Sequence, residues 1–291
     1  MPSDNIGAAR PASACSVSLV AALQRNLFGN LKRWAFVMTR PPRARIPAWP
    51  AGAFTAIGAI VIVVVASMFW LDVAASDWAH HLPPWFRAIF EKITKLGLSG
   101  WFLIPFAIMV IGLAAVISPS LSRLSQGVLG ALAARFGFLF LAIGLPGLFD
   151  TIVKRLIGRA RPYVGAHDDP FKYMPFIWRS DYASMPSGHA TTAAAAAIAI
   201  GAVWPRTRGV MWLYALLIMF SRVVVLAHHP SDVIAGALVG SVGAIMVRRW
   251  FAARDLVFSA RDLRAYPGPS FARIRATLRE AVSSLAAAPN R

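Results

Sequence analysis

The sequence predicts an all-α polytopic membrane protein, a six-transmembrane-helix bundle, and three observations carry that prediction. Of 291 residues, 57% are hydrophobic and only 14% charged, against about 25% charged in a typical soluble domain. Six apolar segments follow one another at 52–71, 100–118, 128–149, 189–204, 209–227 and 232–248. About 20 apolar residues let a helix cross the hydrocarbon core. The Lys and Arg residues gather at both termini and between these segments, as retention of cations beside membrane spans requires.

Residues 1–50 are mixed, Pro-containing and basic (Arg10, Arg25, Lys32, Arg33, Arg40, Arg43, Arg45), and read as a cytoplasmic amino-terminal arm. No apolar core begins within the first few residues, so no cleavable signal is expected. Val20, Leu23, Leu27, Leu31 and Trp34 recur at helical spacing with cations among them, which fits a helix lying on the membrane surface. The membrane core then occupies residues 51–250. Its fourth and sixth segments are short and need their neighbours. The Ala-rich stretch 190–202 and the Gly-containing stretch 236–243 suit close helix contact. Residues 251–291 form a second basic arm, in which 270–286 fits another surface helix.

Charge also orients the bundle. With six spans, the amino-terminal arm, Arg206 and Arg208, and the tail after Arg249 all share one side. The positive-inside rule makes that side, with both termini, cytoplasmic. The connections 72–99 and 150–188 then face outward. The second breaks the rule, because it carries Lys154, Arg155, Arg159 and Arg161. A functional demand for cations on that face explains the exception. The net charge of +18 does not imply nucleic acid, since the cations form no interleaved aromatic-basic face. Cys15 is the only cysteine, which excludes an intrachain disulfide and a Cys-rich metal site.

Three runs at the outward ends of spans carry chemistry. Lys154 and Arg161 supply a compact and a forked cation for phosphate oxygens. They share a helix face if the third span continues outward, although Gly158 and Pro162 predict a break. Ser187 and Gly188 open the Ala-rich helix, whose free N–H groups form an anion cradle beside His189. Arg222 ends an apolar span, where an ionisable group is costly and usually functional. His228 and Asp232 follow, with Pro230 in the first turn of the next helix. A hydrogen bond from His228 to Asp232 is expected to fix the tautomer and leave the other nitrogen nucleophilic.

Lys154-x6-Arg161-Pro162, Pro186-Ser187-Gly188-His189 and Ser221-Arg222-x5-His228-x3-Asp232 together resemble the tripartite signature of the type 2 phosphatidic acid phosphatase superfamily, membrane lipid phosphatase branch. Every signature position is filled, and the likeness covers about residues 52–250. The resemblance implies a phosphohistidine on His228, with Asp232 orienting it and His189 as the general acid and base. It also implies that Lys154, Arg161, Ser187, Gly188 and Arg222 hold the phosphate, without metal or other cofactor.

The expected activity is hydrolysis of a lipid phosphate or pyrophosphate at the outer face of a bacterial inner membrane. Candidate substrates are phosphatidic acid, phosphatidylglycerol phosphate, undecaprenyl pyrophosphate and lipid A. Competing readings are a lipid-to-lipid phosphotransferase using the same residues and a non-catalytic lipid-phosphate carrier. A vanadate-dependent haloperoxidase has similar motifs, and the six spans argue against it. Outside the signature, Arg155 and Arg159 read as ordinary interfacial cations, and His229 as a turn residue. Asp150 fits an i,i+4 pair with Lys154, and Arg135 a residue snorkelling to the inner face. His80, His81, His167, Asp168 and Asp169 fall in outward loops.

Overall fold

The computed structural model describes residues 12–165 and 167–287; Arg10 lies outside the described residues. It contains α1 (Ala12–Thr39), α2 (Ala53–Trp70), α3 (Asp72–His80), α4 (Pro84–Thr94), α5 (Gly100–Val116), α6 (Arg123–Ile157), α7 (Gly188–Val203), α8 (Arg208–Val224), α9 (Pro230–Ala253) and α10 (Phe271–Ala287). Among the described residues, strand geometry is limited to two isolated bridges, Arg159 with Tyr173 and Phe258 with Ala265. The chain is an all-helical membrane protein.

Five helical stretches are long and apolar enough to cross a bilayer: α2, the Pro84–Val116 stretch holding α4 and α5, α6, α8 (from Pro205) and α9. The remaining predicted segment is α7, which has 16 residues. At 1.5 Å per residue it spans roughly 24 Å, short of a hydrocarbon core of about 30 Å. Its surroundings explain why this is tolerated. Residues 190–197 of α7 are all buried, so neighbouring helices, rather than lipid, surround this stretch. Large side chains of the flanking helices face outward instead, as Ile62, Phe69, Ile104, Leu213 and Leu216 do.

Two features differ from the expectation. The 72–99 connection is not a plain loop but holds α3 and α4. At 9 and 11 residues both fall below the length of a membrane span. Aromatic packing fixes them: Trp78 and Phe90 each meet Phe220 of α8, at ring separations of 6.1 and 5.4 Å. The third span is also longer than the 128–149 apolar run, because α6 continues to Ile157 and includes Asp150 and Lys154. It stops at Gly158, whose φ of 62° lies in the left-handed region. Arg161 therefore sits past the helix end rather than on one face with Lys154.

The chain divides into two compact units. One gathers residues up to Pro41, Ile108–Phe136 and residues from Pro267 on. Leu113, Leu121, Leu129, Ala133 and Ala281 form its core. The Asn30 side chain donates to the carbonyls of Ala114 and Ile117 at 2.9 and 2.8 Å, satisfying orphan acceptors at the end of α5. Glu280 accepts from the Ser122 N–H and the Ser125 hydroxyl, both at 2.6 Å, which fastens α10. Arg135 does not snorkel to the surface. It is buried and donates to the carbonyls of Ala131 and Pro267, each at 3.0 Å.

The second unit comprises Pro42–Ala107 and Gly137–Tyr266. Ala190, Ala193, Ala194 and Ala197 of α7 pack with Ala215, Ile218 and Met219 of α8 and Val233 of α9. Without a hydrophobic drive inside lipid, small residues and tight contact hold such helices together. Glycine decides the α7–α9 crossing. A Cβ at Gly236 would strike the Ser187 carbonyl, and one at Gly240 the Thr191 carbonyl. Gly240→Ala is expected to cost about 1–3 kcal/mol through overpacking, lowering the thermal midpoint in detergent. Gly112→Ala, where the added methyl meets nothing within 4 Å, should leave the midpoint unchanged.

Candidate active site

One end of the second unit collects the polar runs: the end of α6, the start of α7, the end of α8 and the start of α9. Lys154, on the last turn of α6, pairs with Asp150 at 2.5 Å. The Thr191 hydroxyl donates to the same Asp150 carboxylate at 3.1 Å. The pairing expected one helical turn apart is thus formed, and α7 supports it. The Lys154 ammonium lies over Gly188, where a Cβ would come within 3.0 Å of it.

Ser187 stands just before the first turn of α7 with its hydroxyl unused for capping, and its buried N–H donates to the Asp232 carbonyl at 3.0 Å. His189 rests against Gly97, where a Cβ would meet its ring at 2.9 Å. His189 also lies within electrostatic reach of Arg222, Lys154 and Arg161. Arg222, buried at the end of α8, donates to the Thr94 hydroxyl at 2.6 Å. Burial pulls the Arg161 guanidinium below its ordinary value, opposed by Asp232 and Asp181. Such a cation gains from any anion brought beside it. Among the described residues, buried polar atoms without a hydrogen-bond partner include the Ser187 hydroxyl and the Nε atoms of Arg161 and Arg222. Unmet donors of this kind are costly unless a ligand satisfies them.

His228 is held differently from the expectation. Its Nδ1 lies 3.9 Å from Asp232, beyond hydrogen-bond reach, and 2.8 Å from the Ser184 carbonyl. A carbonyl only accepts, so Nδ1 carries the proton and Nε2 keeps its lone pair. Burial pushes the ring well below its ordinary value; Asp232 pulls against this, while Arg222, Arg161 and Lys154 add to it. His228 is therefore a neutral imidazole at pH 7.

Asp232 has its own partners. Its Oδ2 accepts from the Ser184 hydroxyl at 2.6 Å and from the His229 N–H at 2.9 Å. Its Oδ1 accepts from Arg159 at 2.6 Å. Arg159 is not the interfacial cation it resembles in sequence: its side chain is 0% exposed. It also reaches Asp72 of α3 at 2.7 Å, the Ser231 hydroxyl at 2.6 Å and the Pro170 carbonyl at 2.8 Å. Arg155, by contrast, fits the surface reading. It donates to the Arg179 carbonyl and lies over the exposed Trp178 ring.

Asp72, Thr94, Ser184 and Ser231 were not identified from sequence. Asp72 had a signal, since it is a carboxylate placed at the end of a long apolar run. Thr94, Ser184 and Ser231 had none.

His229 is also no exposed turn residue. It is fully buried, with Nε2 3.1 Å from Asp168 and Nδ1 3.5 Å from Asp232. Burial opposes its charge, yet the hydrogen bond to Asp168 and the nearby Asp232 carboxylate raise it to about 9, against some opposition from Arg159. Burial likewise opposes ionisation of Asp168, and the bond to His229 holds that carboxyl below its ordinary value. Asp168 thus reaches His229 from its loop. His80 packs on Tyr163 at 4.6 Å, while His81 pairs with exposed Asp77.

A cavity of about 400 Å³ opens beside Lys154 and His189. Its polar end holds Asp150, Lys154, Gly188 and His189, and its apolar end Leu103, Ile143, Gly144 and Leu148.

A family model described as PAP2 superfamily matches residues 135–256. The lipid A 1-phosphatase of Rhizobium johnstonii is 30% identical over 212 residues, 72% of this chain and 84% of that protein. The undecaprenyl-diphosphatase of Sulfolobus acidocaldarius is 32% identical over 105 residues, 34% of this chain and 50% of that protein. Among solved structures, a transmembrane PAP2-type phosphatidylglycerolphosphate phosphatase from Bacillus subtilis aligns with a TM-score of 0.45 and 22% identity. That alignment covers 67% of this chain and 93% of the other.

The buried His229 pair has a pH signature. A folded value of about 9 against 6.5 means its contribution is complete below pH 6.5 and lost as pH rises through 9. The size is about 3 kcal/mol at most. The detergent melting temperature should fall between pH 6.5 and 9.5, and His229→Asn should flatten that slope.

Proposed function

Because this chain belongs to the PAP2 superfamily, we propose that it is a membrane phosphatase that removes the 1-phosphate of lipid A through a phosphohistidine intermediate. The observation that carries the reading is a neutral His228 with an unprotonated Nε2, set among three cations and a serine hydroxyl whose donors are not all satisfied. The lipid class is suggested by the relative from Rhizobium johnstonii, whose match spans 84% of its length. A diphosphate of undecaprenyl type is the next substrate, on the shorter Sulfolobus acidocaldarius match.

In the proposed reaction Nε2 of His228 attacks phosphorus in line. The bond from phosphorus to the lipid oxygen breaks, and His189 gives that oxygen a proton. Water then attacks phosphorus as His189 takes its proton, the phosphorus–nitrogen bond breaks to leave His228 neutral, and inorganic phosphate departs. Lys154, Arg161 and Arg222 neutralise the equatorial oxygens, while the Ser187 hydroxyl and the Gly188 N–H at the start of α7 donate to them. Positioning and charge stabilisation supply most of the rate in such a transfer. Asp232 faces the imidazolium that forms, without taking its proton. The cavity between α5 and α6 suits the apolar part of the substrate, with His189 and Lys154 at its polar end.

The same reading assigns catalysis to residues 51–250 and leaves 1–50 and 251–291 as flanking cytoplasmic arms. The site then faces outward from a bacterial inner membrane, as the basic arms and the 205–208 connection argue.

Purified protein should release phosphate from lipid A in EDTA. Phosphatidic acid, phosphatidylglycerol phosphate and undecaprenyl pyrophosphate should be poorer substrates. His228→Ala should lower the rate by at least about a thousandfold while the protein still inserts in the membrane. Equal activity in that variant contradicts the reading; phosphate appearing on an acceptor lipid instead of in solution identifies a phosphotransferase. Gly147 lines the cavity, and a Cβ there meets nothing within 4 Å. Gly147→Leu is expected to lower kcat/KM for the full lipid about tenfold, a loss of roughly 1.4 kcal/mol. A short-chain soluble phosphate should be hydrolysed as before.

A further inference from the structure

We propose that Arg159 and Asp72, which lie outside the signature, are positioning residues that fix the His228 imidazole for attack by holding Ser184, Ser231 and Asp232. The inference rests on the phosphatase reading above.

Two routes run from Arg159 to the nucleophile. Through its backbone, the Arg159 carbonyl accepts from the Ser184 N–H at 3.1 Å, and the Ser184 carbonyl in turn accepts from His228 Nδ1 at 2.8 Å. Through its side chain, Arg159 binds Asp232 Oδ1, while the Ser184 hydroxyl binds Oδ2, each at 2.6 Å. The loop closes on itself, so Ser184 cannot shift without straining the bond to Asp232. The carbonyl that selects the His228 tautomer is thus anchored to the same residue as the carboxylate opposite the ring.

Asp72 anchors the other side. Its Oδ1 accepts from the Ser231 N–H at 3.0 Å, and its Oδ2 from the Ser231 hydroxyl at 2.5 Å and Arg159 at 2.7 Å. Ser231 and Asp232 lie just past His228, so the two carboxylates and one guanidinium pin the segment that presents the ring. All three charged side chains are fully buried. A lysine cannot replace Arg159 here, because a single ammonium cannot reach Pro170, Ser231, Asp232 and Asp72 from one planar fork.

The arrangement also matters to charge. When Nε2 bonds phosphorus, the imidazole becomes cationic, and Asp232 stands 3.9 Å from its Nδ1. Arg159 shares the Asp232 charge and fixes its direction. The carboxylate then stabilises the cation electrostatically, while the Nδ1 proton stays on the ring with the Ser184 carbonyl as its acceptor.

The test compares wild-type protein with Arg159→Lys, Asp72→Asn, Ser184→Ala and His228→Ala on one lipid phosphate, with size-exclusion profiles in detergent to verify folding. Misplacement of a reacting group by about 1 Å costs on the order of a hundredfold in rate. Arg159→Lys should therefore lose about a hundredfold in kcat, and Asp72→Asn and Ser184→Ala about tenfold each, with KM within about threefold of wild type. Ser184→Ala removes one hydroxyl and leaves no unpaired buried cation, so it decides the matter if Arg159→Lys fails to fold. Wild-type kcat in Asp72→Asn or Ser184→Ala overturns the proposal, as does a change confined to KM. Full activity in His228→Ala would instead overturn the phosphatase reading itself.

Discussion

A single buried guanidinium ties together the end of the protein where the candidate site lies. Arg159 stands between Asp72 at the start of α3 and Asp232 in the first turn of α9, with all three side chains shut away from solvent. Burying such charges costs several kcal/mol each before pairing, and removing one partner typically costs 3–5 kcal/mol. The arrangement therefore specifies geometry more than it adds stability. It also extends beyond the charged groups: the Asp232 carbonyl accepts the Ser187 N–H, which joins the start of α7 to the same point. The two glycines that let α7 and α9 approach, Gly236 and Gly240, make that join possible.

The packing explains how cations can be gathered where they repel one another. Lys154 is neutralised by Asp150, and Arg222 is anchored by Thr94, while the Arg161 and Arg222 Nε atoms and the Ser187 hydroxyl lack partners among the described residues. In the proposed reaction an incoming phosphate supplies those missing acceptors. Its charge is then worth more than in water, because the surrounding helices exclude solvent. His228 keeps a lone pair on Nε2 because Ser184 takes the Nδ1 proton and burial disfavours its charge. Neighbouring His229 is driven the opposite way by Asp168 and Asp232. Two adjacent histidines thus reach opposite protonation states through different partners.

Much of this was legible in the sequence, for reasons that differ by element. The long apolar helices α2, α6 and α9 announce themselves by composition, and α7 by its Ala-rich run after Ser187 and Gly188. The residues that meet at the site could be named because they stand at the ends of those helices. The rest depended on tertiary contacts. α3 and α4 are too short to register as spans and are held by aromatic contacts to Phe220. Arg159 is indistinguishable from Arg155 in a basic loop until Asp72, 87 positions earlier, is brought against it. The expected bond from His228 to Asp232 goes to a backbone carbonyl instead, and no side-chain pattern encodes that.

The central claim is that phosphorus passes through His228. Protein turning over a lipid substrate labelled with radioactive phosphate, quenched in alkali within milliseconds and digested, tests it most directly. The account predicts label on the peptide carrying His228 and His229, acid-labile, located on His228 by fragmentation and absent from His228→Ala. Steady release of phosphate with no labelled peptide at any quench time, or label on another residue, would contradict it.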